Sequence, residues 1–229
     1  DLIVKPLMPA DTDLTLYFYD LNAKINHKIS KNDRLYLSAY IGKDAFGVTS
    51  NEGSNDFSDE LDFGLGYGNT TATFRWNHLF SDKIFSNTTL TYSRYSFYTD
   101  FALSATQNTI LGNENTDISF GYIAGIEDLG ARIDFDYTPN PNHDIKFGIS
   151  YTHHYFFPGE TNLNFSIDYP AADSLSSDIN IDTILNFSGN TNVNEMFFYV
   201  EDNVNITSRL KANIGLHVGY YSLANSTSS

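Results

Sequence analysis

The sequence predicts an all-β fold in which about eight long antiparallel strands follow one another in simple up-and-down order. Three observations predict this fold: apolar and polar residues alternate over most of the chain, many alternating runs reach ten or more residues, and tight turns alternate with long polar stretches. Successive side chains of a strand point to opposite faces, so alternation with period two indicates a strand. Soluble strands usually end after about five or six residues, and no segment here has a convincing helical period.

The segment HDIKFGISYTHHYFFPG, residues 143–159, shows the pattern most clearly. Large apolar side chains such as Ile145, Phe147 and Ile149 occupy its odd positions, and small or polar ones such as Lys146 fill nearly all of its even positions. The same alternation returns in seven further runs. In chain order, the eight runs cover residues 19–26, 35–41, 71–77, 84–97, 131–137, 143–157, 198–206 and 210–218.

Two kinds of connection join these runs. Tight, turn-forming connections stand at SKND, SDK, PNPNH and TSR, which are residues 30–33, 81–83, 139–143 and 207–209. Long polar stretches join the other ends, at residues 49–60, 100–116 and 158–192. Seven of the thirteen basic residues flank the tight turns: Lys28, Lys31, Arg34, Lys83, Lys146, Arg209 and Lys211. Short turns at one end and long loops at the other are the layout of an outer-membrane barrel, with periplasmic turns and extracellular loops.

Composition excludes several classes of protein. The 229 residues are only 41% hydrophobic, and no window approaches the run of about 18 apolar residues that a membrane helix needs. The formal net charge of −15 argues against nucleic acid as a partner, because the phosphates would be repelled. Without cysteine, the chain has neither disulfides nor thiolate metal sites.

A membrane explains why modest hydrophobicity is combined with long alternating strands. Hydrocarbon offers no water to backbone groups, so strands cross it only in a closed barrel, and a strand tilted by about 45° needs about 9–11 residues. One face should then contact lipid, through Phe74, Trp76, Ile133, Phe135, Phe147, Ile149, Ile214 and Leu216. The opposite face should line the lumen, with the candidate residues Arg75, Asn77, Arg132, Asp134, Asp136, Lys146, His154 and Asn213. The alternative is a soluble β-sandwich or extracellular adhesin, whose strands also alternate.

Four phrases carry a resemblance to a known family. They are YFYDLNAKINHKISKNDRLYLSAYIGKDAFG, GNTTATFRWNHLFSDKIFSNTTLTYSRY, DFDYTPNPNHDIKFGISYTHHYFFPG and FFYVEDNVNITSRLKANIGLHVGYY, at residues 17–47, 68–95, 134–159 and 197–221. In this order and with barrel spacing, they resemble TonB-dependent outer-membrane receptors of the Bacteroidetes type. That resemblance implies a barrel of about 22 strands, filled by an N-terminal plug domain, that imports a scarce nutrient with energy from the TonB complex.

The sequence departs from that family in three ways: it shows no plug domain, no TonB box and no terminal strand ending in an aromatic residue. We therefore expect residues 1–229 to be an interior part of the barrel domain, with the plug before Asp1 and more strands after Ser229. By itself the chain should then neither transport nor hold a normal barrel, because its two edge strands would leave backbone groups unpaired in the membrane.

The resemblance also implies partners and a location. The partners are outer-membrane lipid and lipopolysaccharide, the TonB–ExbB–ExbD complex acting through the plug, and a small-molecule or oligosaccharide ligand such as a siderophore, cobalamin or a glycan. The location is the outer membrane of a Gram-negative bacterium. A non-transport outer-membrane barrel and a secreted β-sandwich adhesin are the alternatives.

No cofactor, metal site or catalytic centre is predicted. Adjacent strand residues point to opposite faces, so His153 should lie on the lipid side and His154 in the lumen, where they cannot share an ion. The acidic stretch 158–192 lacks the spacing of a calcium loop. Arg132, Asp134 and Asp136 fall on one polar row and should compensate one another rather than catalyse. With no nucleophile–base arrangement, the sequence does not predict an enzyme.

Overall fold

Every regular element of the described residues is a β-strand, as the alternation predicts. The computed structural model describes residues 11–54, 56–169, 179–186 and 189–225. The strands are β1 Thr12–Lys28, β2 Asp33–Gly53, β3 Phe57–Ser81, β4 Ile84–Thr109, β5 Gly112–Asn140, β6 His143–Asp168, β7 Ile179–Asn186, β8 Thr191–Asn205 and β9 Lys211–Asn225. Neighbouring strands pair antiparallel, which confirms the predicted all-β, up-and-down architecture. In this described part of the chain, no helix is long and apolar enough to cross a membrane.

One sheet contains all nine strands. Its order is β1-β2-β3-β4-β5-β6-β8-β9, and β7 pairs with β6. β7 and β8 lie along the same edge of β6, with β7 beside residues 160–167 and β8 beside residues 143–156. Because both run antiparallel to β6, they share a single strand position. The sheet therefore has eight strand positions, in agreement with the predicted number.

The four predicted tight turns close the same end of the sheet, here called the turn end; the opposite end is called the far end. They occupy residues 29–32, 82–83, 141–142 and 206–210. In the first turn, the Ser30 hydroxyl accepts hydrogen bonds from the backbone N–H groups of Asn32 and Asp33, both at 3.0 Å, and donates one to the Asp33 carboxylate at 2.6 Å. Short polar side chains hold turns in this way because they bond nearby backbone groups.

The strands continue well into the stretches that the sequence predicts as long loops. Residues 49–53 and 57–60 belong to β2 and β3, residues 100–109 and 112–116 to β4 and β5, and residues 158–168 and 179–186 to β6 and β7. As a result, β3 to β6 reach 25 to 29 residues. The prediction ended the strands early because polar residues are frequent there and because the apolar residues of β2 to β5 move to the other row. Asp173 and Asp178 of the predicted acidic stretch lie outside the described residues.

The sheet is a single layer without a hydrophobic core. Among the described residues, Ala45 is the only buried hydrophobic side chain, and no large side chain is fully buried. Large apolar side chains such as Phe18, Ile214 and Leu216 are more than half exposed. A sheet in a soluble domain buries one face against a second layer. The apolar surface of this sheet therefore has to be covered by something other than a second layer of these residues.

β6 carries a bulge in its middle. Its pairing with β5 shifts so that Ala124 stands opposite both Pro158 and Gly159. Gly159 has a φ of +136°, which residues with a Cβ rarely adopt. The Tyr122 hydroxyl donates a hydrogen bond to the Pro158 carbonyl at 3.0 Å, and the Tyr122 ring covers Gly159. The extra residue exchanges the faces on which the later β6 side chains lie.

We expect Gly159→Ala to destabilise the folded protein by about 1–3 kcal/mol, because the new Cβ would strain the backbone and collide with the Tyr122 ring. Thermal unfolding of the full-length protein in detergent micelles measures the change. Gly121→Ala is the matched control, because nothing lies within 4 Å of a Cβ at Gly121. Equal transition temperatures for the two variants would contradict the prediction.

Candidate functional site

Strand register assigns each side chain to one of two faces, because residues directly opposite each other in antiparallel strands point the same way. The first face, called the Trp76 face, is defined by one line of such partners: Leu35, Trp76, Thr88, Ile133, Ile149, Phe198 and Val218. The second, called the Asp134 face, is defined by the neighbouring line: Arg34, Asn77, Asn87, Asp134, Gly148, Tyr199 and His217.

The structure keeps the two predicted sets of side chains on opposite faces. The residues predicted to contact lipid all lie on the Trp76 face: Phe74, Trp76, Ile133, Phe135, Phe147, Ile149, Ile214 and Leu216. The residues predicted to line a lumen all lie on the Asp134 face: Arg75, Asn77, Arg132, Asp134, Asp136, Lys146, His154 and Asn213. The facing is confirmed, and the lumen role stays a prediction.

Aromatic rings gather at the turn end of the Trp76 face. The rings of Phe135 and Phe147 stack with centroids 5.0 Å apart, and Phe80 lies 6.3 Å from Phe135 and 4.4 Å from the His78 ring. Ser86 stands between its strand partners His78 and Phe135 and has only 3% of its surface exposed. Membrane barrels place such belts of rings at the interface between lipid and water.

A charged cluster occupies the middle of the turn-end half of the Asp134 face. Arg132 Nε donates hydrogen bonds to Asp134 Oδ1 and Oδ2 at 2.9 and 2.7 Å, and the Tyr199 hydroxyl donates one to Asp134 Oδ1 at 2.7 Å. The Arg132 guanidinium lies 5.7 Å from the centroid of the Tyr199 ring, within cation–π range. Gly148 makes room for this cluster, because a Cβ there would lie 2.8 Å from both Asp134 Oδ1 and the Tyr199 ring.

Smaller pairs surround this cluster on the same face. Lys146 Nζ lies 3.7 Å from Asp136 Oδ1, and both side chains are more than two-fifths exposed, so this ion pair contributes little stability. Asn213 Nδ2 donates a hydrogen bond to Asn203 Oδ1 at 2.6 Å. The sequence predicts that Arg132, Asp134 and Asp136 compensate one another. Instead, Arg132 pairs with Asp134, and Asp136 pairs with Lys146.

The two adjacent histidines have separate surroundings. His154 lies between two acids on the Asp134 face, with Nδ1 2.7 Å from Asp128 Oδ1 and Nε2 3.0 Å from Glu195 Oε2. His153 lies on the Trp76 face, where its Nδ1 is 2.8 Å from Asn194 Oδ1. Within the described ranges, no group of three or more His, Asp or Glu side chains is arranged to hold a metal ion.

A shallow depression of about 400 Å³ lies beside the Arg132 cluster, where β5, β6, β8 and β9 meet. Its polar lining on the Asp134 face comprises Arg132, Ser150, Tyr199, Glu201 and His217. Guanidinium, hydroxyl, carboxylate and imidazole groups offer hydrogen-bond donors and acceptors, and charges of both signs. Phe197 and Leu216 add apolar surface to the same depression, so it offers both polar and apolar contacts.

Sequence reasoning missed Tyr199, Asp128 and Glu195 as members of the clusters on the Asp134 face. Each of them stands on the polar row of its own strand, so the alternation could have identified its face. The contacts that each makes depend on the register between strands, which alternation within one strand does not specify.

Comparison with known proteins gives distant structural likenesses only. No family model matches the chain, and no curated protein matches it. The ferric-catecholate import receptor Fiu from E. coli K12, in an open form, is 9% identical over 93% of this chain and 58% of that chain, with a TM-score of 0.16. OmpT, an outer membrane protein of Vibrio cholerae folded in vitro, is 9% identical over 94% of this chain and 99% of that chain, with a TM-score of 0.16. The match thus spans little more than half of the Fiu chain.

Tyr199→Phe should lower the free energy of unfolding by about 1–3 kcal/mol, because it removes a hydrogen bond to a charged acceptor. In an Asp134→Ala background, the same substitution should have little further effect, because the acceptor is already absent. Denaturant unfolding in detergent micelles measures both values. Tyr220→Phe, on the Trp76 face, is the control and should behave alike in both backgrounds. If Asp134→Ala leaves the cost of Tyr199→Phe unchanged, the hydrogen bond is not the cause.

Proposed function

We propose that this chain forms part of an outer-membrane β-barrel of a Gram-negative bacterium, in which the turn-end half of the Trp76 face contacts lipid. The observation that carries this proposal is a single-layer sheet whose aligned apolar lines have no core to cover them within the described residues. Acyl chains are the covering that such a surface fits, because they are apolar, extended and make no hydrogen bonds. The belt of rings at the turn end supports the same placement.

The backbone also meets the requirement that hydrocarbon imposes. β4 pairs with β3 through residues 84–107 and with β5 through residues 84–109. That is far more than the about 9–11 residues that a tilted strand needs to cross a membrane. Pairing on both sides satisfies the N–H and C=O groups of an interior strand without water.

The finer proposal is that the barrel belongs to a TonB-dependent receptor that imports a scarce nutrient, such as a siderophore, cobalamin or a glycan. Support comes from the family resemblance of residues 17–47, 68–95, 134–159 and 197–221, and from the polar, mixed-charge turn-end half of the Asp134 face, which would line the passage. In this proposal residues 1–229 are part of the barrel domain, and the TonB–ExbB–ExbD complex acts through a plug domain. Lipopolysaccharide surrounds the barrel in the outer leaflet, and the chain has no enzymatic activity.

The lipid-facing surface is tested by one pair of substitutions in β6. Ile149→Arg should destabilise the membrane-inserted protein by about 2–4 kcal/mol, which is the cost of a lipid-facing arginine near the bilayer midplane. Thr152→Arg is the matched control, because Thr152 lies on the Asp134 face directly opposite Glu195, and it should assemble normally. The folded fraction is measured in isolated outer membranes by heat-modifiable electrophoretic mobility. Equal tolerance of both substitutions would favour the soluble β-sandwich.

Uptake is tested in cells, independently of the lipid-facing surface. Deleting the gene of the full-length protein should abolish growth on one limiting nutrient among an iron–siderophore complex, cobalamin and a glycan, each tested in turn. Deleting the TonB protein should abolish the same growth. Growth that needs this protein without needing TonB would exclude TonB-dependent uptake, and normal growth on all three nutrients would contradict their import.

A further inference from the structure

The Trp76 face changes from apolar to polar half-way along the strands. Near the turn end it carries a line of mostly large apolar residues: Leu37, Phe74, Leu90, Ala131, Tyr151, Met196 and Tyr220. Toward the far end the same face carries small or polar residues: Gly47, Gly64, Asp100, Gly121 and Asn162.

The Asp134 face changes in the opposite sense. Near the turn end it carries the charged and polar line that defines it. Toward the far end it carries a line of apolar residues: Val48, Phe63, Phe101, Phe120 and Leu163. The next line on this face, two residues farther from the turn end, is also mostly apolar: Ser50, Leu61, Leu103, Ile118, Phe165 and Ile181. The apolar surface therefore passes from one side of the sheet to the other.

Two different features produce this exchange. In β5 the sequence itself shifts, with apolar residues at odd positions over 129–137 and at even positions over 118–126. In β6 they keep the odd positions, as Phe147 and Phe165 show, and the bulge at Gly159 moves the later ones to the other face. Because neighbouring strands reach the same exchange by different routes, it reflects the surroundings of the sheet rather than one local irregularity.

Charged side chains appear on the Trp76 face at the level of the exchange. Arg94 and Glu127 stand directly opposite each other on β4 and β5. The Lys43 ammonium lies 5.3 Å from the centroid of the Tyr98 ring and 5.8 Å from that of Tyr17. Charged groups facing hydrocarbon cost several kcal/mol, whereas near the interface they cost little. These side chains therefore mark a boundary for lipid contact on this face.

The width of the apolar band agrees with that boundary. Lys43 comes ten residues after Asp33, the first residue of β2, and Arg94 comes ten residues after Ile84, the first residue of β4. Ten steps of about 3.3 Å along a strand tilted by about 40° rise about 25 Å. The apolar band of an outer-membrane barrel is also about 25 Å tall.

Both edges of the band shift together across the sheet. Asp33 at the start of β2 lines up with Leu216, which lies five residues into β9. At the other edge, the last large side chain on this face is Ile41 in β2, just before Lys43, and Tyr220 in β9, just before Ser222. Tyr220 lines up with Leu37, four residues before Ile41. A band of constant height that crosses tilted strands is displaced in parallel in this way.

We propose that the hydrocarbon of the membrane ends where the apolar surface passes from the Trp76 face to the Asp134 face. The inference rests on the proposed function and adds the position of the membrane boundary on the strands. The turn-end half of the Trp76 face contacts acyl chains. The far halves of β1 to β6 stand beyond them, with their polar Trp76 face toward water. The apolar far half of the Asp134 face points into the barrel, away from the water that surrounds it.

Because residues 1–229 contain no cysteine, a single cysteine placed among them carries the only nitroxide label once any cysteine elsewhere in the full-length protein is replaced by serine. Ala131→Cys and Ala102→Cys form the matched pair, since both alanines lie on the Trp76 face, one in each half. In phosphatidylcholine vesicles, the label is exposed either to oxygen, which concentrates in hydrocarbon, or to a water-soluble nickel chelate. The Ala131→Cys label should collide several-fold more often with oxygen than with nickel, and the Ala102→Cys label should show the reverse.

The outcomes separate the boundary from the proposed function. Oxygen-dominated collisions at both labels would overturn the boundary and leave a lipid-facing sheet. Nickel-dominated collisions at both labels would contradict the membrane placement itself. Thr88→Cys and Ser104→Cys, one in each half of the Trp76 face on β4, provide a second pair if either labelled alanine variant fails to assemble.

Discussion

Continuous backbone hydrogen bonding between neighbouring strands is the constraint on which the rest of this structure depends. Each strand from β2 to β6 pairs on both sides, so register fixes the face of every side chain. Packing between layers contributes little, since Ala45 is the only buried hydrophobic side chain in the described residues. The strands therefore differ mainly in which row of side chains is apolar, and that row follows the environment on each side of the sheet.

The Asp134 face shows how charge is accommodated next to a low-dielectric environment. Charged groups there stand in bonded sets, with Arg132 bonded to Asp134 and His154 placed between two acids. Compensation needs partners from different strands, and the missing side chain of Gly148 lets the Tyr199 ring reach Asp134 across β6. The Asp134 side chain is only 20% exposed, so without these partners its carboxylate would lack part of its hydrogen bonding. The polar face is thus a set of local networks rather than a general coating of charge.

Alternation predicted the turn-end halves of the strands because large residues such as Phe147 and Ile149 alternate there with Lys146 and Ser150 around recognisable turns. It missed the far halves of β2 to β5 because the apolar row changes there between odd and even positions, which interrupts the period and resembles a loop. The β6 bulge was beyond reach for the opposite reason: the row stays odd through Phe165, and only the pairing with β5 reveals the extra residue. Likewise, the odd or even position of the eight candidate residues was enough to predict their common face. Their contacts with Tyr199, Asp128 and Glu195 depend on the register between strands, which the sequence pattern does not give.

One physical rule accounts for both halves of the sheet despite their opposite polarity. In the proposed placement, hydrocarbon lies against the Trp76 face in the turn-end half, so that face is apolar and the Asp134 face carries the polar groups. Beyond the hydrocarbon, water replaces lipid on the Trp76 face, and the apolar residues are stable only on the side that a closed barrel shields. β6 keeps its apolar residues at odd positions throughout, and without a bulge these residues would face water in the far half. Its bulge at Gly159 lets an unchanged alternation serve both halves.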